Sequence, residues 1–131
     1  MRRITRETTG RFLAQVARGW RLFHAAHLRG ADLRRARLDG LTLAGADLRR
    51  ARLRGASLQG ARLDGARLAG ADLRDADMRG ARLDGINVRG AWVSDDALAL
   101  LDEAPDTHVT GVIVSVHREP DTSVDGEPVG E

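Results

Sequence analysis

The chain has 131 residues, the size of one domain with short extensions, and its 21 basic residues are all arginine. It contains no cysteine, which excludes disulfides, thiolate metal sites and a thiol nucleophile. The net charge of +2 hides an asymmetry: residues 1–25 carry six Arg and one Glu, residues 26–94 fourteen Arg and eight Asp, and residues 95–131 one Arg and ten acids. The first two thirds of the chain are therefore basic, and the last part is acidic.

The N-terminal segment is basic but lacks the apolar stretch of a secretory signal peptide. The longest apolar run, residues 97–101, is far shorter than a membrane span. We therefore expect a soluble, cytoplasmic protein that does not contact a membrane.

Residues 8–20 are predicted to form a helix, because apolar side chains recur on one face at helical spacing. These side chains are Phe12, Leu13, Val16, Ala17 and Trp20. Residues 1–25 are interpreted as a helical cap for the segment that follows. Phe23 stands five residues before Leu28, which indicates that the next pattern begins slightly early.

Residues 26–95 form one run of fourteen five-residue repeats without an insertion. The third position is Leu in eleven repeats, the first is Ala in twelve, and the fifth is Gly in ten. A period of five would scatter the leucines around an α-helix and alternate them between the faces of a flat strand. A chain that turns the same way at every repeat instead points every Leu at one central axis, with Gly providing the corner.

These residues resemble the pentapeptide-repeat family, whose pattern is A(D/N)LXX. The resemblance covers residues 26–95 and implies an all-β solenoid, a right-handed quadrilateral β-helix with four repeats per coil. The repeats would then make about three and a half coils, a stack about 17 Å tall at ~4.8 Å per coil. The sequence departs from the pattern at the second position, where Arg often replaces Asp or Asn, as at Arg37, Arg52 and Arg62.

Residues 96–117 are predicted to form a second cap of helix and strand. Ser94 suits the N-cap, Asp95 and Asp96 suit the first turn, and Pro105 ends the helix. Residues 108–116 are rich in β-branched side chains and fit either a strand that completes the last coil or a surface that pairs two copies. Candidate self-association residues are Leu98, Leu101, Val112, Ile113 and Val114. Residues 118–131 have the composition of a disordered acidic tail.

The residues offer little for catalysis, so we expect no enzyme activity, no cofactor and no metal. His24 and His27 are three residues apart but have no further ligands in sequence, and no serine has the context of a nucleophile. The glycines recur every five residues as corners, which is not the pattern of a phosphate loop. A core filled by Leu and Ala also predicts no substrate-sized pocket.

The functional prediction rests on the pattern of charged residues at the surface. With four repeats per coil, residues twenty apart form columns such as Asp32, Arg52, Asp72 and Trp92, whose alternating charges are predicted to pair between coils. A neighbouring column of Arg34, Arg54 and Arg74 begins a cationic area over two sides. The candidate partner-binding residues are Arg29, Arg34, Arg35, Arg49, Arg50, Arg54 and Arg74. On another side, Asp64 and Asp84 oppose Arg62 and Arg82.

The leading hypothesis is a non-catalytic interaction module or scaffold whose arginines dock an acidic partner: another protein, a nucleic acid or the chain's own acidic tail. The hypothesis also includes a homodimer through the C-terminal region. The resemblance also implies an alternative, a DNA-mimicking modulator of type II topoisomerases of the quinolone-resistance type. Mimicry of DNA requires a strongly negative surface, whereas residues 26–94 carry about +6. Direct nucleic-acid binding through the arginines is a third alternative, weakened by the small number of aromatic residues.

Overall fold

The computed structural model describes residues 6–107 and 113–115. Two helices, α1 (Arg6–Ala17) and α2 (Asp95–Glu103), flank the repeats. Three short strands, β1 (Asp72–Leu73), β2 (Trp92–Ser94) and β3 (Ile113–Ser115), form a parallel sheet in the order β1-β2-β3. Asp72 lies opposite Trp92, and Trp92 lies opposite Ile113.

The rest of the stack is held by isolated parallel bridges, each joining residues twenty positions apart. Examples are the bridges of His27 with Asp47, Arg37 with Ser57 and Thr42 with Arg62. A register of twenty means that every fourth repeat lies in the same column, so the repeats divide among four faces. By residue number, face A comprises 26–30, 46–50, 66–70 and 86–90; face B comprises 31–35, 51–55, 71–75 and 91–94; face C comprises 36–40, 56–60 and 76–80; face D comprises 41–45, 61–65 and 81–85.

The third-position side chains fill the interior, as the sequence predicts. Every third-position side chain of the repeats is buried, and Leu53 and Leu63 have no exposed surface. The first-position alanines pack beside them and are buried in most coils. Backbone hydrogen bonds link successive coils: the Leu53 N–H donates to the Asp72 carbonyl at 2.8 Å. Burial of this kind contributes roughly 1.5–3 kcal/mol for each Leu, so the stacked leucines are the main source of stability.

The fifth position turns the corner in the left-handed region of backbone space. Gly60 has a φ of 66°, and three of the four non-glycine residues at this position, Arg35, Arg50 and Asp75, have φ values of 61°, 59° and 60°; the fourth, Asp95, begins α2. The left-handed region costs a residue with a Cβ roughly 1–2 kcal/mol. The corner therefore favours glycine at this position. Arg35 and Arg50 adopt the same conformation at the expense of backbone strain.

Helix α1 begins two residues before the predicted helix and ends three residues earlier, at Ala17. It ends there because Gly19 adopts a φ of 98° and the Trp20 N–H donates to the Gln15 carbonyl at 3.0 Å. Phe12 is buried against Phe23, with the ring centroids 4.7 Å apart in an edge-to-face arrangement. Trp20, predicted on the apolar face, is instead 54% exposed and stacks on Phe23.

Helix α2 matches its sequence signals. Ser94 is the N-cap residue in extended conformation, Asp95 and Asp96 occupy the first turn, and the helix ends at Glu103 before Pro105. Ala97 and Leu101 of this helix are buried in the core.

β3 pairs in parallel with β2. This pairing supports the interpretation of residues 113–115 as part of a strand that completes the last coil. The neighbouring residues 108–112 and 116–117, and the predicted acidic tail at 118–131, lie outside the described residues. No helix in the described part of the chain is long and apolar enough to cross a membrane.

Candidate partner-binding site

Four repeats contain a bidentate ion pair between the second-position Asp and the fourth-position Arg. The pairs are Asp32–Arg34, Asp47–Arg49, Asp72–Arg74 and Asp77–Arg79. In each pair Nε and Nη2 of the guanidinium donate to the two carboxylate oxygens, at 2.8 and 2.7 Å for Asp47–Arg49. The side chains meet because residues two apart in extended backbone point the same way.

The same carboxylates also hold the backbone. Oδ1 of Asp47 accepts the N–H of Arg49 at 3.2 Å, and Asn87 makes the equivalent bond to the N–H of Arg89 at 3.1 Å. A second-position Asp or Asn therefore closes a local side-chain turn at the start of the corner. This bond gives a physical reason for the preference for Asp or Asn at this position.

The ion pairs shift the pKa values of both partners. Hydrogen bonds donated by the guanidinium of Arg34 lower the pKa of Asp32 to about 2, and Arg49 does the same to Asp47. The pKa values of Asp72 and Asp77 are also lowered, by Arg74 and Arg79 first. The carboxylates in turn raise the pKa values of the four arginines. These pairs stay ionised at any ordinary pH.

This pairing corrects the prediction that charges alternate and pair between coils in the column of Asp32, Arg52 and Asp72. The two carboxylates are bound by the arginines of their own repeats, Arg34 and Arg74. Among the described residues, no carboxylate lies within ion-pairing distance of Arg52. Arg52 is therefore an exposed guanidinium between two carboxylates whose closest partners are other arginines, although its charge still helps to lower the pKa of Asp32.

The surplus positive charge of the repeats lies on two adjacent faces. Face A carries five Arg and one Asp, and face B five Arg and three Asp, whereas faces C and D each carry two Arg and two Asp. The seven predicted partner-binding arginines all lie on these two faces: Arg29, Arg49 and Arg50 on face A, and Arg34, Arg35, Arg54 and Arg74 on face B. Sequence reasoning left out three more arginines of these faces, Arg52, Arg67 and Arg89.

A shallow groove of about 430 Å³ follows the corner between faces A and B. We call it the arginine groove; its lining residues are Arg34, Arg50, Ala51, Arg52, Arg54, Gly70, Asp72, Arg74 and Trp92. Trp92 is 40% exposed, and the guanidinium of Arg74 lies 5.0 Å from the centroid of its ring. Arg54 lies 3.6 Å from Asp75, measured from Nε to Oδ2, and its charge also helps to lower the pKa of Asp72. The groove thus combines several guanidinium groups with one exposed aromatic ring.

Faces C and D each carry equal numbers of arginine and aspartate, and several of these side chains contact one another or neighbouring polar groups. On face C, Asp39 accepts hydrogen bonds from the Ser57 hydroxyl and from the Gln59 N–H, and the Gln59 side chain donates to Asp77 at 2.6 Å. On face D, Arg82 lies 3.5 Å from Asp64 and 3.6 Å from Asp84, as predicted, whereas Arg62 has no carboxylate of the described residues within ion-pairing distance.

The predicted self-association residues are only partly available. Leu101 has no exposed surface, so it belongs to the core and does not offer a contact to a second copy. Leu98 is partly buried against the core, Ile113 and Val114 lie in β3, and Val112 is outside the described residues.

A second groove of about 660 Å³ lies between face C and α2 and is lined in part by Asp77, Asp95, Asp96 and Glu103. These carboxylates do not form a metal site: no group of three or more His or acidic residues in the described part of the chain has a suitable arrangement.

The family model for pentapeptide repeats matches residues 22–55 and 51–90, and the chain belongs to this family. A pentapeptide repeat protein, Rfr23, from the cyanobacterium Cyanothece 51142 is 30% identical, with 72% of this chain and 60% of that chain covered and a TM-score of 0.55. A pentapeptide repeat protein from Nostoc Pcc 7120 is 29% identical over 80% of this chain and 94% of that one, with a TM-score of 0.40. The family and Rfr23 imply a right-handed quadrilateral β-helix.

The chain is also similar to QnrB1, described as a plasmid-mediated fluoroquinolone resistance protein. The identity is 18%, the cover is 70% of this chain and 56% of that chain, and the TM-score is 0.34. This likeness is too weak to carry an argument about function. None of the curated proteins compared with the chain matches it.

Proposed function

We propose that the protein is a non-catalytic interaction module that binds an acidic partner protein through faces A and B. The observation that supports the proposal is the distribution of charge: the whole surplus of fourteen Arg over eight Asp lies on two adjacent faces, while the other two are neutral. A surface that only needed to stay soluble would gain nothing from this segregation. A one-sided field steers and orients an oppositely charged partner.

The stack suits this role because its arginines are held on a rigid backbone. The bidentate pairs of Arg34, Arg49 and Arg74 order three side chains of faces A and B in advance. Order that exists before binding lowers the entropic cost of association. Each of these arginines still has an Nη1 group that donates to no carboxylate in the described part of the chain.

The proposal includes a structural role for the helices. We infer that α1 and α2 cover the two ends of a stack of about three and a half coils. Phe12 against Phe23 at one end, and buried Ala97 and Leu101 at the other, support this role. Open ends would expose apolar side chains and free backbone groups.

The alternatives have less support. Modulation of a topoisomerase by DNA mimicry needs a negative surface, and the repeats are cationic; only the acidic C-terminal region favours it. Binding of single-stranded nucleic acid depends on successive aromatic platforms, and the arginine groove contains one, Trp92.

Affinity capture from a lysate of the native host, with two matched double variants, tests the proposal. Arg29→Glu/Arg67→Glu reverses two charges on face A, and Arg37→Glu/Arg62→Glu reverses two charges on faces C and D. Circular dichroism first establishes that both variants fold. We expect the same protein to be retained by the wild type and by the face C and D variant, and lost with the face A variant. Equal retention by both variants would show that face A is not part of the binding surface, which would contradict the proposal as stated.

A further inference from the structure

We propose that the arginine groove binds the carboxylates of an acidic peptide segment, and that Arg52 makes the principal contact. This inference rests on the proposed function and deepens it, because it assigns one binding site and one ligand chemistry within the larger cationic surface.

Arg52 is the central residue of the groove because the carboxylates on either side of it, Asp32 and Asp72, form their ion pairs with other arginines. It lies in one column with Asp32 and Asp72, about 4.8 Å from each along the stack. Both of these carboxylates form two hydrogen bonds with the arginines of their own repeats. The exposed guanidinium of Arg52 has five N–H donors, and no described carboxylate is near enough to pair with them.

Arg50 is placed beside Arg52 by the corner. It adopts a φ of 59° at the fifth position, and its Cγ lies where a side chain on Gly70 would be, 3.4 Å from the position of the missing Cβ. The aliphatic part of Arg50 therefore passes over Gly70 of the next coil. A Cβ at position 70 would stand in ordinary van der Waals contact with this Cγ, so Arg50 and Gly70 are close neighbours along the groove.

Arg54 and Trp92 complete the site. The 3.6 Å contact of Arg54 with exposed Asp75 is long for an ion pair and is readily exchanged for a contact with a ligand carboxylate. Trp92 has Arg74 over its ring and keeps 40% of its surface exposed at the end of the groove. Arg and Trp together are the residues most enriched at the energetic centres of protein interfaces.

Carboxylate is the favoured ligand on two grounds. The chain already binds carboxylate with the same arginine geometry in four of its own repeats. A peptide presents carboxylates at intervals, so it can place them at Arg50, Arg52 and Arg54 and avoid Asp72, which lines the same groove. Single-stranded nucleic acid would need successive aromatic rings for its bases, and Trp92 is the one aromatic residue that lines the groove.

The test uses the fluorescence of Trp92 in the full chain. Trp20→Phe removes the only other tryptophan, so the remaining emission reports the groove. The probe is a synthetic ten-residue peptide of alternating Glu and Ser, titrated at low salt. We expect a saturable change in emission. Arg52→Glu should weaken binding at least about tenfold, as expected when one charged contact is reversed. Arg62→Glu, which makes the same change at the second position of a face D repeat, should alter the affinity less than about twofold.

Three results would overturn the inference: no saturable change at low salt, equal weakening by Arg52→Glu and Arg62→Glu, or tighter binding of an oligothymidylate of equal charge than of the peptide. Failure here is distinguishable from failure of the proposed function. The capture experiment reverses Arg29 and Arg67, which lie outside the groove, so a partner lost with that variant would support the cationic faces even if the peptide does not bind.

Discussion

Asp47 and Arg49 bind each other through two parallel hydrogen bonds, and Asp47 also accepts the Arg49 backbone N–H. One carboxylate thus fixes a side chain and the backbone at the start of a corner. Because the Asp47 side chain is only 18% exposed, this pair is the best shielded of the four. Its removal should have a measurable effect on stability.

Replacement of Asp47 separates the two roles. Asp47→Ala removes both and should lower the free energy of unfolding by about 1–2 kcal/mol. Asp47→Asn keeps an oxygen that can accept the backbone N–H, as Asn87 does naturally. It should therefore lower the free energy of unfolding by about half as much as Asp47→Ala. Urea unfolding measures both variants. Equal losses would mean that the backbone bond contributes nothing.

Acid should destabilise the stack. Because folding lowers the pKa values of Asp32 and Asp47 to about 2, protonation favours the unfolded chain. This stability is present above about pH 4 and is lost as the pH falls from about 4 to 2. We expect a total loss of about 1–3 kcal/mol after allowance for solvent screening of the exposed pairs. Urea midpoints at pH 2 and pH 6 measure it, and Asp47→Asn should reduce the difference. A midpoint independent of pH would contradict the assignment.

The interior position should be far less tolerant than its neighbour in sequence. Leu63→Ala should cost about 2–5 kcal/mol, and Leu63→Lys should unfold the stack, because an inward Lys has no partner. Arg62→Ala, one residue away and exposed, should change stability by less than about 0.5 kcal/mol. One residue inserted after Gly60 should be worse than the Arg62 change, since it shifts every later repeat out of register. Thermal denaturation compares the variants; similar tolerance of all of them would refute the buried column.

Two glycines with open surroundings should respond to alanine in opposite directions. Gly40 has a φ of 69° and Gly10 lies inside α1, and a Cβ on either would have no atom within 4 Å. Gly40→Ala should therefore destabilise by about 1–2 kcal/mol through backbone strain alone. Gly10→Ala should stabilise by about 0.5–1 kcal/mol through helix propensity. A gain of stability in Gly40→Ala would show that the corner does not need the left-handed region.

Self-association through the C-terminal segment predicts a mass that rises with concentration. Leu98 is the accessible member of the candidate set in α2, since Leu101 is buried. Leu98→Glu should shift the molecular mass measured by light scattering towards the monomer, whereas Ala99→Glu, at an exposed position on the same helix, should not. A monomeric mass for the wild type at high concentration would remove the homodimer from the proposal.

The sequence predicts the interior better than the exterior. The leucine period and the glycine corners are local signals that the structure follows, whereas Ser94 takes the N-cap position without a side-chain hydrogen bond to the helix. The α1 end and Trp20 were misplaced, because Gly19 stops the helix before the apolar pattern ends. The sequence prediction did not include the Asp–Arg pairs, because it considered columns of residues twenty apart. Each pair instead joins two residues of the same repeat. A signal was present: every second-position Asp is followed two residues later by Arg. Arg52 stands out only after those pairs are known.

The confinement of positive charge to faces A and B has a consequence for architecture. A partner attracted to faces A and B would bind the side of the stack, with the axis of the coils parallel to the surface of the partner. Faces C and D, on which arginine and aspartate are equal in number, would stay on the side away from the partner. A molecule built this way can be lengthened by four repeats at a time, adding one more row of guanidinium groups to the docking side without altering the outward one.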